Sequence, residues 1–175
     1  MELNHGFLDC EGQVLPQREV PSAEKLRVYG DMMFLAFRSA RHARMPVATL
    51  RAYFEPPVEL GQFRIFRFDD VPRAMYTWAH LTHSAERKLL AGKPLSPEEW
   101  CSGDRLWIMD IISPYRGLTQ SISRWIMKRG NFTETEFLFR RVKDTNTTRK
   151  IVHVDFREDQ LARIFSEDQF LAWAA

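Results

Sequence analysis

Hydrophobic and polar positions along this chain follow two periods in turn. Leu26, Tyr29, Met33 and Phe37 recur at helical spacing, and Lys25, Arg27 and Arg38 fill the other side, which predicts an amphipathic helix. Ser22, behind Pro21, stands at the N-cap position. Pro46 disfavours continuation, so this helix is expected to end within residues 39–44. The stretch MPVATLRAYFEPP predicts a second short helix closed by Pro56 and Pro57. The period then shortens to two. In GQFRIFRF, Phe63 and Ile65 take one face while Arg64, Phe66 and Phe68 take the other. DDVP reads as a turn and RAMYTWAHL as a second strand, so the pair predicts a hairpin.

Downstream, SAERKLLAGK predicts a short helix. Ser96, Pro97 and Glu99 form a capping-box pattern. RLWIMDIISP is apolar on both parities, as a strand covered on both faces would be. YRGLTQSISRWIMKRGN places Leu118, Ile122, Trp125 and Ile126 on one helical face, with Gly130 near its end. ETEFLFRRV and RKIVHVDF read as strands joined by KDTNTT, and the tail EDQLARIFSEDQFLAWA is helical in pattern. This order predicts a mixed α/β sandwich with a partly antiparallel sheet. No repeat, low-complexity run or linker divides it, so residues 1–20 read as an N-terminal arm and 21–175 as one domain.

Composition narrows the class. The 175 residues are 45% hydrophobic and 27% charged, the balance of a globular domain with a substantial core. A net charge of +2 gives no case for nucleic acid. Cys10 and Cys101 are isolated and make neither a disulfide framework nor a metal motif. No apolar run approaches the ~20 residues that span a bilayer, and the first residues carry no signal-peptide pattern. A reducing, cytoplasmic setting is therefore expected.

Asp110 interrupts RLWIMDIISP, and an ionised carboxylate inside a covered strand needs a partner. It is either a structural partner of an arginine or a group that orients a histidine. His42, between Arg41 and Arg44 in SARHARMP, is either a surface histidine at a basic helix end or a general base. SPYRGLTQS follows a strand and opens a helix, where free N–H groups favour a phosphate. Arg116 can take the first position of a pyrophosphate-binding loop, but Thr119 and Ser121 stand at its glycine positions and Gly117 lies out of place. His80 and His83 lack a third ligand at a persuasive spacing, so no metal site is expected. Arg140 and Arg141 fall on opposite faces of their strand, so at most one faces a site.

Four blocks together resemble the RTX toxin-activating lysine acyltransferases. They are Ser39-x-x-His42 followed by Pro46; PRAMYTWAHL; EWCSGDRLWIMDIISPY with Trp100, Trp107 and Asp110; and Arg141-Val142. The resemblance implies a GNAT-like N-acyltransferase fold with a mixed, mostly antiparallel sheet flanked by helices. It implies transfer of a fatty acyl group from acyl carrier protein to internal lysines of an RTX protoxin, in the cytoplasm, with no tightly bound cofactor and with a homodimer as one form. His42 and Asp110 map to the catalytic pair and Ser39 to the serine beside it. Arg116, Gly117 and Arg141 are the expected substrate-binding residues. Met45 stands where such proteins carry tryptophan and His80 where they carry asparagine, which bears on substrate choice rather than on reaction type. The alternative reading is a conventional acetyl-CoA-dependent N-acetyltransferase.

Overall fold

Asp69 and Asp70 turn the first hairpin with left-handed backbone angles, φ 51° and 61°. A two-residue turn of this hand matches the twist of its flanking strands. It joins β1 (Phe63–Phe68) to β2 (Val71–Leu81). Four more strands extend the sheet: β3 (Arg105–Ile112), β4 (Glu136–Val142), β5 (Thr148–Asp155) and β6 (Ala162–Phe165). The computed structural model describes residues 10–14, 21–142 and 147–174. The arm read over residues 1–20 therefore lies largely outside the described residues, as do the first four residues of KDTNTT.

The strand order is β1-β2-β3-β4-β5-β6, each strand beside its sequence neighbour. All pairs are antiparallel except β3 and β4, which run parallel and pair only through Trp107 with Leu138 and Ile108 with Phe139. Beyond those residues the two strands part. This is the mixed, mostly antiparallel sheet of a GNAT-like fold.

Helices α1 (Ala23–Ala36), α2 (Val47–Leu60), α3 (His83–Leu90) and α5 (Glu167–Trp173) cover one face, and α4 (Leu118–Ile126) covers the other. On the first face Met75 and Ile112 pack under α1 and α2, while Ala79, Leu81 and Trp107 pack under α3 and α5. On the second, Tyr76 and Ile108 meet Ile122 and Ile126 of α4.

Three expectations change. The stripe that α1 buries is Val28, Met32, Leu35 and Ala36, whereas Leu26 and Phe37 are exposed. Apolar residues occupy most positions of YGDMMFLAF, so the helical period fits two neighbouring stripes. Pro56 and Pro57 lie inside α2 rather than closing it. They forgo two helical donors, and the helix stops at Gly61, whose left-handed φ of 66° caps it. The tail is not helical throughout. Ala162–Phe165 pairs with β5 as an edge strand. Helix α5 then starts at Ser166, in a capping box with Gln169.

Much of the W-x-SGDR-x-W block does structural work. Trp100 and Trp107 are buried in one cluster. Arg105 Nε and Trp107 Nε1 donate to the buried carboxylate of Glu86 at 2.6 and 2.9 Å. The amides of Ser102 and Gly103 both donate to the His80 carbonyl, at 2.8 and 3.1 Å. A Cβ on Gly103 would lie 2.5 Å from the Leu81 carbonyl oxygen. Gly103→Ala should therefore cost about 1–3 kcal/mol, the usual range for overpacking, and lower the melting temperature by several degrees. An unchanged melting temperature would show that this junction yields freely.

Candidate active site

His42 sits in the turn between α1 and α2. Past Ala36 the chain tightens: Arg38 and Ser39 amides donate to Leu35 and Ala36 carbonyls at 3.1 Å each, and Ala43 N donates to Ser39 O at 2.9 Å. A single 3-10 turn, His42–Arg44, follows. Met45, just before Pro46, is extended (ψ 140°) and stops it. His42 is thereby aimed inward and is 2% exposed.

Asp110 reaches the same place through a β-bulge. Thr77 pairs with Asp110 and Trp78 with Ile108, so Met109 is an extra residue on β3. Strict alternation would put Asp110 on the α4 face with Ile108. The bulge instead puts Met109 and Asp110 on the face shared with Trp107 and Ile112, because a bulge re-aims the residues after it.

There the two side chains meet. His42 Nε2 lies 2.6 Å from Asp110 Oδ2, and His42 Nδ1 lies 2.7 Å from Ser39 Oγ. An ionised carboxylate can only accept, so Nε2 carries the proton. When the ring is neutral, Nδ1 accepts from the Ser39 hydroxyl. Both ring nitrogens are engaged, and the half-buried Ser39 stands on the Nδ1 side of the ring.

The charge of Asp110 is answered on three sides. Ile111 N donates to Oδ1 at 2.9 Å. The Arg41 guanidinium stands 3.6 Å from Oδ1. Burial pushes the carboxyl pKa up, but the His42 hydrogen bond and charge, with Arg41 and the Ile111 amide, outweigh it and hold the group below its ordinary value. The serine–histidine–aspartate order also supplies what proton transfer needs: an acceptor, and a carboxylate to stabilise the imidazolium.

Arg140, not Arg141, completes the surroundings. Arg141 is exposed, while Arg140 lines a small cleft of about 190 Å³ together with Arg41 and Asp110. Burial pushes the Arg140 pKa down, with Arg41 adding to that shift and Tyr53 and Asp110 opposing it. The strand parity allowed one of the two arginines to face a site, and Arg140 is the one that shares the face of Leu138, which packs with Trp107 and Met109. Thr77 was not legible as a site residue. It is 1% exposed, directly across from Asp110, and its hydroxyl has no hydrogen-bond partner among the described residues.

Arg116 and Gly117 lie exposed in the loop before α4. Gly117 takes a left-handed φ of 80° at the N-cap, so the glycine that looked misplaced serves the turn. His80 lies in β2 and His83 opens α3, where it faces Glu86 at 3.9 Å. Glu136, His153 and Asp155 converge elsewhere with ligand-like spacing, and Arg157 binds both carboxylates at 2.8 to 2.9 Å. Of the basic residues on and after α1, Lys25 pairs with Glu59 and Arg27 with Asp70. Arg38 folds over the Phe34 ring, and Arg44 is exposed beside the site. No helix among the described residues is long and apolar enough to cross a membrane.

A mostly antiparallel sheet that parts between its two parallel strands, with helices on both faces, is the architecture of a GNAT-like fold. Comparison with known proteins makes the class specific. Residues 21–155 match the RTX toxin acyltransferase family, and the chain belongs to that family. It is 33% identical over 107 residues to the protein-lysine palmitoyltransferase CyaC of Bordetella bronchiseptica, covering 58% of each chain. It is 30% identical over 125 residues, 71% of each chain, to the RTX-I toxin-activating lysine-acyltransferase ApxIC of Actinobacillus pleuropneumoniae. Identity to the protein-lysine myristoyltransferase HlyC of Escherichia coli is 33% over 91 residues, 51% of this chain and 54% of that protein.

The carboxylate yields a test in acid. A folded pKa below the ordinary ~3.9 of aspartate means stability that is present above that value and lost as pH falls through the lowered pKa. Asp110→Asn should melt below wild type at neutral pH. The gap should narrow once the pH drops under about 4, as thermal melts across a pH series would record. A gap independent of pH would mean that folding leaves the Asp110 pKa where it is in the unfolded chain, and one that shrinks as pH rises would mean that the folded carboxyl stays protonated.

Proposed function

We propose that this chain is a protein-lysine acyltransferase that moves a fatty acyl group from acyl carrier protein to the ε-amine of internal lysines in an RTX protoxin, in the cytoplasm. The hydrogen-bonded chain Ser39–His42–Asp110 carries the reading, and the names of the relatives support it.

A lysine near its reference pKa of about 10.4 is protonated at neutral pH and cannot attack a thioester. The incoming amine must lose a proton, and Ser39 stands between the buried imidazole and the outside. In the proposed path the ammonium first releases one proton to solvent; the neutral amine nitrogen then attacks the thioester carbonyl while a second proton passes to Ser39 Oγ, and the serine proton passes to His42 Nδ1. Asp110 stabilises the resulting imidazolium. Arg41 and Arg140 offer positive charge to the oxyanion. The carbon–sulfur bond then breaks, and the pantetheine thiolate leaves with a proton returned from the imidazolium. In the competing path Nδ1 itself attacks the thioester and carries the acyl group, which requires Ser39 to rotate off the ring.

Acyl carrier proteins are acidic. Arg38, Arg41 and Arg44, with exposed Phe37 and Val47, form the docking face in this reading. Arg116 and Gly117 lie in the loop that would meet the phosphate of the pantetheine arm. Arg141 has no part in the proposed path, and a homodimer is compatible with it but not required by it.

Co-expression with a protoxin of the RTX class, read by mass spectrometry of its lysines, tests the assignment. Wild type should acylate, and His42→Ala should lose about 10²–10⁴-fold, the usual range for a general base. Ser39→Ala should lose a comparable factor if the serine relays the proton. Should Ser39→Ala keep full rate and a histidine-linked acyl group accumulate, the competing path holds. Absence of acylation by wild type sinks the assignment.

A further inference from the structure

A second cleft opens beside the reacting groups. It measures about 420 Å³ and lies between α2 and the segment joining α3 to β3. Its lining is mostly apolar: Leu89, Leu95, Trp100 and Met109 on one side, Ala48 and Ala52 on the other. It shares Met109 and Arg140 with the small cleft that holds Asp110, so the two are neighbours on either side of those residues. The Met109 bulge therefore serves both places. Asp110 points to His42, and the extra residue itself turns its thioether into the neighbouring cleft.

Three features fit this cleft to a chain rather than to a compact ligand. Its volume falls within the ~300–1,000 Å³ of small-molecule sites. A methylene occupies about the volume of a water molecule in the liquid, roughly 30 Å³, so the cleft takes on the order of 14 of them. Its polar groups sit at the edge. The Arg140 guanidinium is tied to the Leu89 carbonyl at 3.0 Å and stands at the end nearest Asp110. Lys93 is exposed, and Tyr53 is half-buried. Ala48 and Ala52 are one helical turn apart on α2, and their small side chains leave the groove open along the helix.

A cleft of similar size, about 440 Å³, exists elsewhere, but it is lined by Arg64, Tyr76, Trp78 and Phe132. Those aromatic residues pack on the α4 side of the sheet, away from His42.

We infer that the cleft between α2 and residues 89–95 holds the hydrocarbon chain of the acyl donor, with the thioester carbonyl at Arg140, and that Ala52 sets the chain length accepted. This inference rests on the acyltransferase reading above. Ala52 is exposed on a helix, so a larger side chain there can fill the groove without crowding the core.

Two measurements test it separately. Transfer from octanoyl and palmitoyl carrier protein is measured for wild type and Ala52→Phe. The variant should lower the palmitoyl-to-octanoyl rate ratio by about tenfold or more, the scale on which apolar pockets discriminate, with octanoyl transfer kept. An unchanged ratio in an active variant overturns the inference while leaving the acyltransferase reading intact. Independently of activity, palmitic acid bearing a terminal diazirine is photolysed with the wild-type protein and the adducts are mapped by mass spectrometry. Adducts on residues 48–53, 89–95 or Met109 support the assignment. Adducts confined to the cleft of Tyr76 and Phe132, or none, overturn it. Labelling at the expected residues with no transfer from either donor would uphold the cleft and sink the reaction.

Discussion

One buried carboxylate organises this molecule. Asp110 stands in the central region of a sheet covered on both faces, where an unpaired charge costs several kcal/mol. Everything needed to hold it there has a second consequence. The imidazole that satisfies one oxygen must come from a turn 68 residues earlier, which fixes how α1 and α2 meet the sheet. The guanidinium near the other oxygen draws Arg41 inward. The bulge at Met109 exists on the strand that must turn Asp110 to the correct face. A constraint of burial and a constellation for proton transfer are thus met by the same contacts.

Glu86 makes an instructive contrast. It is as deeply buried, at 2% exposed, and is answered by an arginine and an indole from the neighbouring strand. Its hydrogen-bond donors, the Arg105 guanidinium and the Trp107 indole, do not exchange protons near neutral pH, and the His83 imidazole stands off at 3.9 Å. Asp110 is answered first by an imidazole, which does. Two buried carboxylates on one face of one sheet therefore divide into a structural tie and a candidate reacting site, and the partner decides which is which.

The sequence made this pairing legible only in halves. Asp110 announced itself by standing in an apolar strand, and the hairpin and the capping box at Ser96 follow from local chemistry. His42 taken alone read better as a surface residue until the resemblance joined the two. The bulge could not be read, because it is a property of how β2 and β3 pair and not of either strand alone. The choice of Arg140 over Arg141 waits on which face of β4 is turned to the His42 side of the sheet. The same limit hid β6: four residues of ordinary propensity became a strand because β5 offered an open edge. Most of the long SGDR-x-W block proved to be packing and hydrogen bonding around Gly103 and Glu86, so a strong family signal marked the scaffold more than the chemistry.

The short parallel join between β3 and β4 has a consequence for how this chain folds. On either side of it lie three strands in unbroken antiparallel succession, each paired with its nearest neighbour in sequence. Such local pairings close small loops and form early, whereas the parallel join must wait for α4 to cross over. The two halves are thus natural cooperative units, with two paired positions between their backbones. Asp110 belongs to one half and Arg140 to the other. Ser39, Arg41, His42 and Asp110 all belong to the first half, so docking of the second brings Arg140 to a hydrogen-bonded chain that the first half already holds.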